Sequence, residues 1–200
     1  MALLPFRKLR MVLMLALLGF GLAGCGINAI PTHEEKAKAA WSQVLNQYQR
    51  RAELIPNLIE TVKGFAAQEK DVLTSVVEAR AKATQTKIPA DILSNPGAFK
   101  AFQQNQGALS GALSRLMVVV ERYPELKSNQ NFLALQSQLE GTENRISVAR
   151  RDYIEAVRLY NTELKTFPGR LWAQFLYTGN KPMENFTIEA EKMAVPKVKF

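Results

Sequence analysis

Charged residues that fall on apolar helical stripes are where this sequence could do chemistry. Counting in sevens from Trp41 gives Trp41, Tyr48, Ile55, Val62, Glu69, Val76 and Ala83, so Glu69 stands where an apolar side chain is expected. Arg51 falls in the neighbouring series with Val44, Leu58, Phe65, Val72 and Ala79, and Arg80 lies on the edge of the stripe. Further on, Glu143 and Arg150 sit seven apart beside Phe132, Leu139, Ile146 and Tyr153. A charge withdrawn from water must be paired, or it costs several kcal/mol. Arg51, Glu69, Arg80, Glu143 and Arg150 therefore read as a structural ion-pair network between helices. The rival reading is a charged cleft that binds a ligand. Facing carboxylates inside a bundle can also hold metals, but the di-iron arrangement needs Glu-x-x-His pairs, and the only histidine is His33. No metal and no cofactor is expected.

Catalysis has little to work with. There is one cysteine, Cys25, and His33 is expected to be solvated at the domain's edge. Hydrolytic, redox and zinc chemistry usually needs more of these residues. The chain lacks a G-x-G-x-x-G, a P-loop and a G-x-S-x-G, and no spacing nominates a triad. The expectation is a protein that is not an enzyme.

Cys25 has a different chemistry in view. Arg7, Lys8 and Arg10 precede an apolar run from Met11 to Phe20, followed by Leu22-Ala23-Gly24-Cys25. This resembles a bacterial lipobox, in which the cysteine is acylated and becomes the mature N-terminus. Two or more acyl chains anchor stably where one does not. The alternative is an uncleaved transmembrane anchor, since residues 11–30 carry no charge over 20 positions. Gly21, Gly24 and Gly26 weigh against a helix there. Either way the rest of the chain faces outward, in the periplasm or its equivalent. Gly26 after the cysteine hints at outer-membrane delivery in a two-membrane cell.

The formal charge is +8, and without Arg7, Lys8 and Arg10 it is +5. The basic residues are interspersed with acids, with no basic block, so no nucleic-acid partner is expected.

The elements that must position these residues are helices. Thr32 and Glu35 make a capping box after Pro31. From Trp41 to Ala83 one apolar stripe keeps phase through Pro56. That favours a long kinked helix, or two helices end to end, over a hairpin at Pro56. Residues 34–84 would span about 75 Å if straight, so a bend is expected at Pro56 or near Gly64. Asn95 and Pro96 open a second helix striped by Phe99, Phe102, Leu109, Leu113 and Leu116, which stops at Tyr123-Pro124. A last long helix runs from near Ser128 to Pro168-Gly169. A short amphipathic piece with Leu171, Trp172, Phe175 and Leu176 follows, then an extended tail. The expected fold is all-α, an antiparallel up-and-down four-helix bundle with long helices. The expected organisation is a signal segment at 1–24, a lipidated linker at 25–32, the bundle at 33–178 and the tail at 179–200.

Several stretches then resemble the LemA family. They include Asn46 to Leu58 (Asn-Gln-Tyr-Gln-Arg-Arg-Ala-Glu-Leu-Ile-Pro-Asn-Leu), Val62-Lys63-Gly64-Phe65, Glu78-Ala79-Arg80-Ala81, Tyr123-Pro124-Glu125-Leu126-Lys127, Leu139 to Ile146, Ala149-Arg150-Arg151, Tyr160-Asn161, Phe167-Pro168 and Val195-Pro196 with Val198 and Phe200. The resemblance covers the mature chain. It implies a membrane-attached, outward-facing four-helix bundle, and carries over no catalytic residue. A magnetosome-associated branch suggests envelope organisation by analogy. Two segments depart from the family's usual pattern: Asp152-Tyr153-Ile154, and Met183-Glu184-Asn185-Phe186 before the tail.

The function expected is a non-enzymatic scaffold or adaptor in the cell envelope, held by its N-terminal anchor and meeting other envelope proteins. The alternative is a ligand-binding or sensing module that uses the charged cleft. Trp172, Phe175 and Leu176 read either as a cap over the bundle end or as a partner-docking patch. A long apolar seam also allows a homo-oligomer.

Overall fold

The computed structural model describes residue 11 and residues 26–85 and 88–187. Cys25, the remainder of the N-terminal segment and the terminal Val195, Val198 and Phe200 lie outside the described residues.

The first helix, α1, spans Ala29–Ala66. It starts before the expected capping box, so Thr32 and Glu35 lie inside it, and Asn28 precedes its first residue. Pro31 sits within the first turn, where its missing N–H had no helical acceptor to lose. Pro56 lies inside α1 without ending it. The chain reverses instead at residues 67–69 and returns as α2, Lys70–Gln85. The expected end-to-end rod is therefore a hairpin turning just past Gly64. The stripe keeps its phase across this turn by coincidence of spacing.

After a short 3-10 turn at Ile92–Ser94, α3 spans Pro96–Val120. Asn95 caps it by accepting a hydrogen bond from the Ala98 N–H at 3.1 Å, with Pro96 in the first turn. A single turn, α4 (Pro124–Lys127), leads into α5, Gln130–Glu163. Asn129 caps α5 through the Phe132 N–H. A last short helix, α6, spans Gly169–Phe175.

The four long helices form an up-down-up-down bundle. Trp41 meets Phe99 at the start of α1 and α3, and Glu69 meets Arg122 at their far ends. The core has two halves. Near the start of α1, Trp41, Tyr48, Phe99, Phe102, Tyr153 and Phe186 make a network of ring contacts. At the other end the core is mainly aliphatic, with Ile55, Leu58, Leu109, Leu116 and Leu126 fully buried.

At 16 residues α2 is too short to flank the aromatic half. Ile92 and the C-terminal segment fill that space. Residues 180–187 run without helix, and Met183 and Phe186 are buried. Asn161 holds this strap with two hydrogen bonds, to the N–H and the carbonyl of Met183, both 2.8 Å. The tyrosines add two more: Tyr153 donates to the Glu184 carbonyl and Tyr160 to that of Lys181.

Candidate functional site

Among the described residues, three polar side chains are buried in the core: Arg51, Gln106 and Thr142. They lie at one level, between the two apolar halves. Arg51 follows Tyr48 and precedes Ile55, Gln106 lies between Phe102 and Leu109, and Thr142 between Leu139 and Ile146. Arg51 is 1% exposed. Its Nη1 donates to Ser110 Oγ and to Glu143 Oε1, both at 2.7 Å. Its Nη2 donates to Gln106 Oε1 at 2.8 Å and to the Gln106 carbonyl at 3.3 Å. The Tyr48 ring lies 5.0 Å from the guanidinium carbon. Of the three guanidinium nitrogens, only Nε is left without a partner. Burial raises the Tyr48 phenol pKa, and the positive charges of Arg150 and Arg51 oppose that.

The side chain of Glu143 is 46% exposed. With Ser110, Leu113 and Leu139 it lines an open groove of about 620 Å³ between α3 and α5. The buried charge thus meets its counterion at the edge of the bundle, where the carboxylate keeps water on one side.

The five charged residues do not form one network. Arg51 and Glu143 pair. Glu69 lies in the α1–α2 turn, off the helical stripe, and accepts hydrogen bonds from Tyr123 Oη at 2.7 Å and Arg122 Nη2 at 3.1 Å. Its carboxylate raises the pKa of the Tyr123 phenol. Arg80 Nε donates to the Ala52 carbonyl at 2.8 Å. In a helix that carbonyl accepts from the residue four further on, which here is Pro56 and has no N–H. Arg80 therefore serves the acceptor that Pro56 orphans, and joins two of the family-like stretches. Arg150 packs over the Phe186 ring, 4.4 Å from its centroid, a cation–π contact. The two segments that depart from the family's pattern also touch: Tyr153 donates to Glu184 and packs on Phe186. His33 is half-buried, with Nδ1 shielded and unpartnered.

Gln106, Ser110 and Thr142 escaped the reading of the sequence. For Gln106 and Thr142 the signal was a seven-residue gap in the stripe, from Phe102 to Leu109 and from Leu139 to Ile146, with a polar residue at the missing position; Ser110 lies outside both gaps and gave no such signal.

The start of α1 and the end of α5 share one end of the bundle with α6. Trp172 and Ala173 pack inward on the aromatic half, while Leu171, Phe175 and Leu176 are exposed. Gly169 permits the close approach, since a Cβ there would overlap the Glu163 carbonyl oxygen. Tyr177 Oη donates to the Ile27 carbonyl at 3.1 Å. Gly26 has φ +115°, and a Cβ on it would lie 3.2 Å from Pro168 Cγ. Glycine at position 26 thus has a backbone reason apart from any sorting role. Among the described residues no helix is long and apolar enough to cross a membrane.

Comparison with known proteins matches the LemA family over residues 40–200. Magnetosome protein MamQ 2 and MamQ 1 of Paramagnetospirillum magneticum are each 29% identical over 175 residues, covering 80% of this chain and 64% of the relative. Magnetosome protein MamQ of Magnetospirillum gryphiswaldense is 27% identical over the same length. The chain spans about 64% of the length of these relatives. With the family profile covering most of its length and both halves of its bundle core, this chain belongs to the LemA family.

Proposed function

We propose that the protein is a membrane-anchored scaffold or adaptor of the cell envelope and performs no catalysis. Its bundle lies on the extracytoplasmic side, at the cytoplasmic or the outer membrane, with the N-terminal segment holding it by acylated Cys25. The observation that carries the scaffold reading is the polar centre. Arg51 directs both terminal nitrogens to Ser110, Gln106 and Glu143 of its own chain. A charge satisfied this way can fix the register of a bundle more than it adds stability. The targeting pattern of residues 1–25 supports the anchor, and the likeness to the MamQ proteins supports a role in envelope organisation by analogy.

The test is the intact mass of the protein from a membrane fraction, wild type beside Cys25→Ala. A mass beginning at residue 25 plus acyl chains, lost in the variant, is expected. A mass that retains residues 1–24 would replace the lipid with a transmembrane anchor. Recovery in the soluble fraction would sink the anchored reading. Cross-linking in cells tests the scaffold, which requires a reproducible protein partner.

A second reading rests on one observation. Glu143 and Ser110 border the open groove, so a cationic or hydroxylated ligand could meet the Arg51 layer from that side.

A further inference from the structure

Four large apolar side chains stand exposed within ten residues: Phe167 at 82%, Phe175 at 77%, Leu171 and Leu176. Clustered exposure of this kind marks an interaction surface. Two observations say what covers it. Gly26 lies against Pro168 and Trp172, and Tyr177 is bonded to Ile27. Gly26 follows Cys25 directly in the chain, so the first described residue after the proposed lipid attachment point lies beside this patch. The charge also fits. Between Glu163 and Glu184 there is no acidic residue, while Lys165, Arg170 and Lys181 are all exposed.

We propose that Phe167, Leu171, Phe175 and Leu176 form a foot that rests in the interfacial layer of the lipid bilayer, with Lys165, Arg170 and Lys181 facing anionic headgroups. This rests on the anchored reading above. A short element with apolar aromatic and aliphatic residues on one face and cations beside them suits the interface. Basic residues near an anionic surface add to the attraction. The buried side of α6, with Trp172 and Ala173 on the aromatic core, fixes the bundle's angle to the membrane. The foot turns a tether into a seat.

The experiment uses the full chain in vesicles of phosphatidylethanolamine and phosphatidylglycerol, with and without brominated acyl chains. Phe175→Trp places a reporter on the foot and, since the site is already exposed, keeps the fold. Val118→Trp is the control, at an exposed site towards the far end of α3. Vesicle sedimentation is scored in the same samples. The expected result is co-sedimentation of both variants, with bromolipid-dependent loss of the added emission at position 175 and none at 118. Protein that pellets, with position 175 no more quenched than 118, overturns the foot and leaves the anchor standing. A blue-shifted but unquenched reporter at 175 also overturns it, because protein, such as a second copy, then covers the patch. Protein left in the supernatant overturns the anchored reading and the foot with it.

Discussion

Arg80 supplies the hydrogen bond that Pro56 cannot. Its Nε donates to the Ala52 carbonyl at 2.8 Å, four residues before a proline that lies inside an unbroken helix. A proline within a helix removes one backbone donor and usually kinks or ends it. Here the neighbouring helix replaces the donor, and α1 continues for ten residues beyond Pro56.

The two residues should therefore be coupled. Arg80→Met leaves a carbonyl of the buried Ala52 unpaired, a loss of about 1–3 kcal/mol. In a Pro56→Ala background the helix regains its own donor, and the same substitution should cost markedly less. A double-mutant cycle in urea measures the difference. Equal costs in the two backgrounds would show that Arg80 acts by packing alone.

The polar layer predicts an asymmetry. Arg51→Ala leaves the buried Gln106 without its charged partner, and an unsatisfied buried polar group costs about 1–3 kcal/mol. Glu143→Gln, at a half-exposed position, keeps an acceptor for Arg51 and should lower the melting temperature far less. If Glu143→Gln leaves stability intact but abolishes function in cells, the groove reading gains over the scaffold.

Much of this was legible in residue spacing, and the failures have physical causes. Asn95-Pro96 opens α3 as expected because a side-chain cap and a proline act locally. Arg51 was legible as a core charge because it lies on a continuous stripe. Glu69 was misplaced because counting in sevens cannot see that three residues, 67–69, leave the helix and reverse the chain. Arg80 was assigned to a carboxylate because the need for a donor at Ala52 arises only when Pro56 is kept inside a helix. The strap at 180–187 has no periodicity to read. Its place follows from the shortness of α2, a tertiary fact.

Alkaline pH should loosen the strap. Burial raises the Tyr153 pKa, with the Glu184 carboxylate adding to it, and burial also raises those of Tyr48 and Tyr160. The folded state thus favours the neutral phenol. This contribution is fully present below the unfolded value of 10.0 and is lost as pH rises through the higher folded pKa. Melting temperature should hold up to about pH 10 and fall above it. Tyr153→Phe should cost about 1 kcal/mol at neutral pH through the lost bond to Glu184, and should flatten the alkaline slope. An unchanged slope would assign the fall to other groups.

The seating of α6 can be broken at one atom. Gly169 packs so closely on the end of α5 that a Cβ would overlap the Glu163 carbonyl oxygen and crowd the Glu163 side chain. A side chain's far end can swing away, but a helix-terminal carbonyl cannot do so without moving α5 or α6. The smaller element should yield: α6 and residues 165–168 lift, and Trp172 leaves the aromatic core. Gly169→Ala should therefore speed proteolysis within residues 164–180 while the four long helices keep their cooperative melt, since local opening and global unfolding are separate events. Gly111→Ala is the contrast, because nothing lies within 4 Å of the added atom, and alanine favours a helix interior over glycine by about 1 kcal/mol. That variant should melt no lower than the parent. Equal protease resistance in Gly169→Ala and the parent would mean that α5 can absorb the contact, and that the α6 seat is softer than its packing indicates.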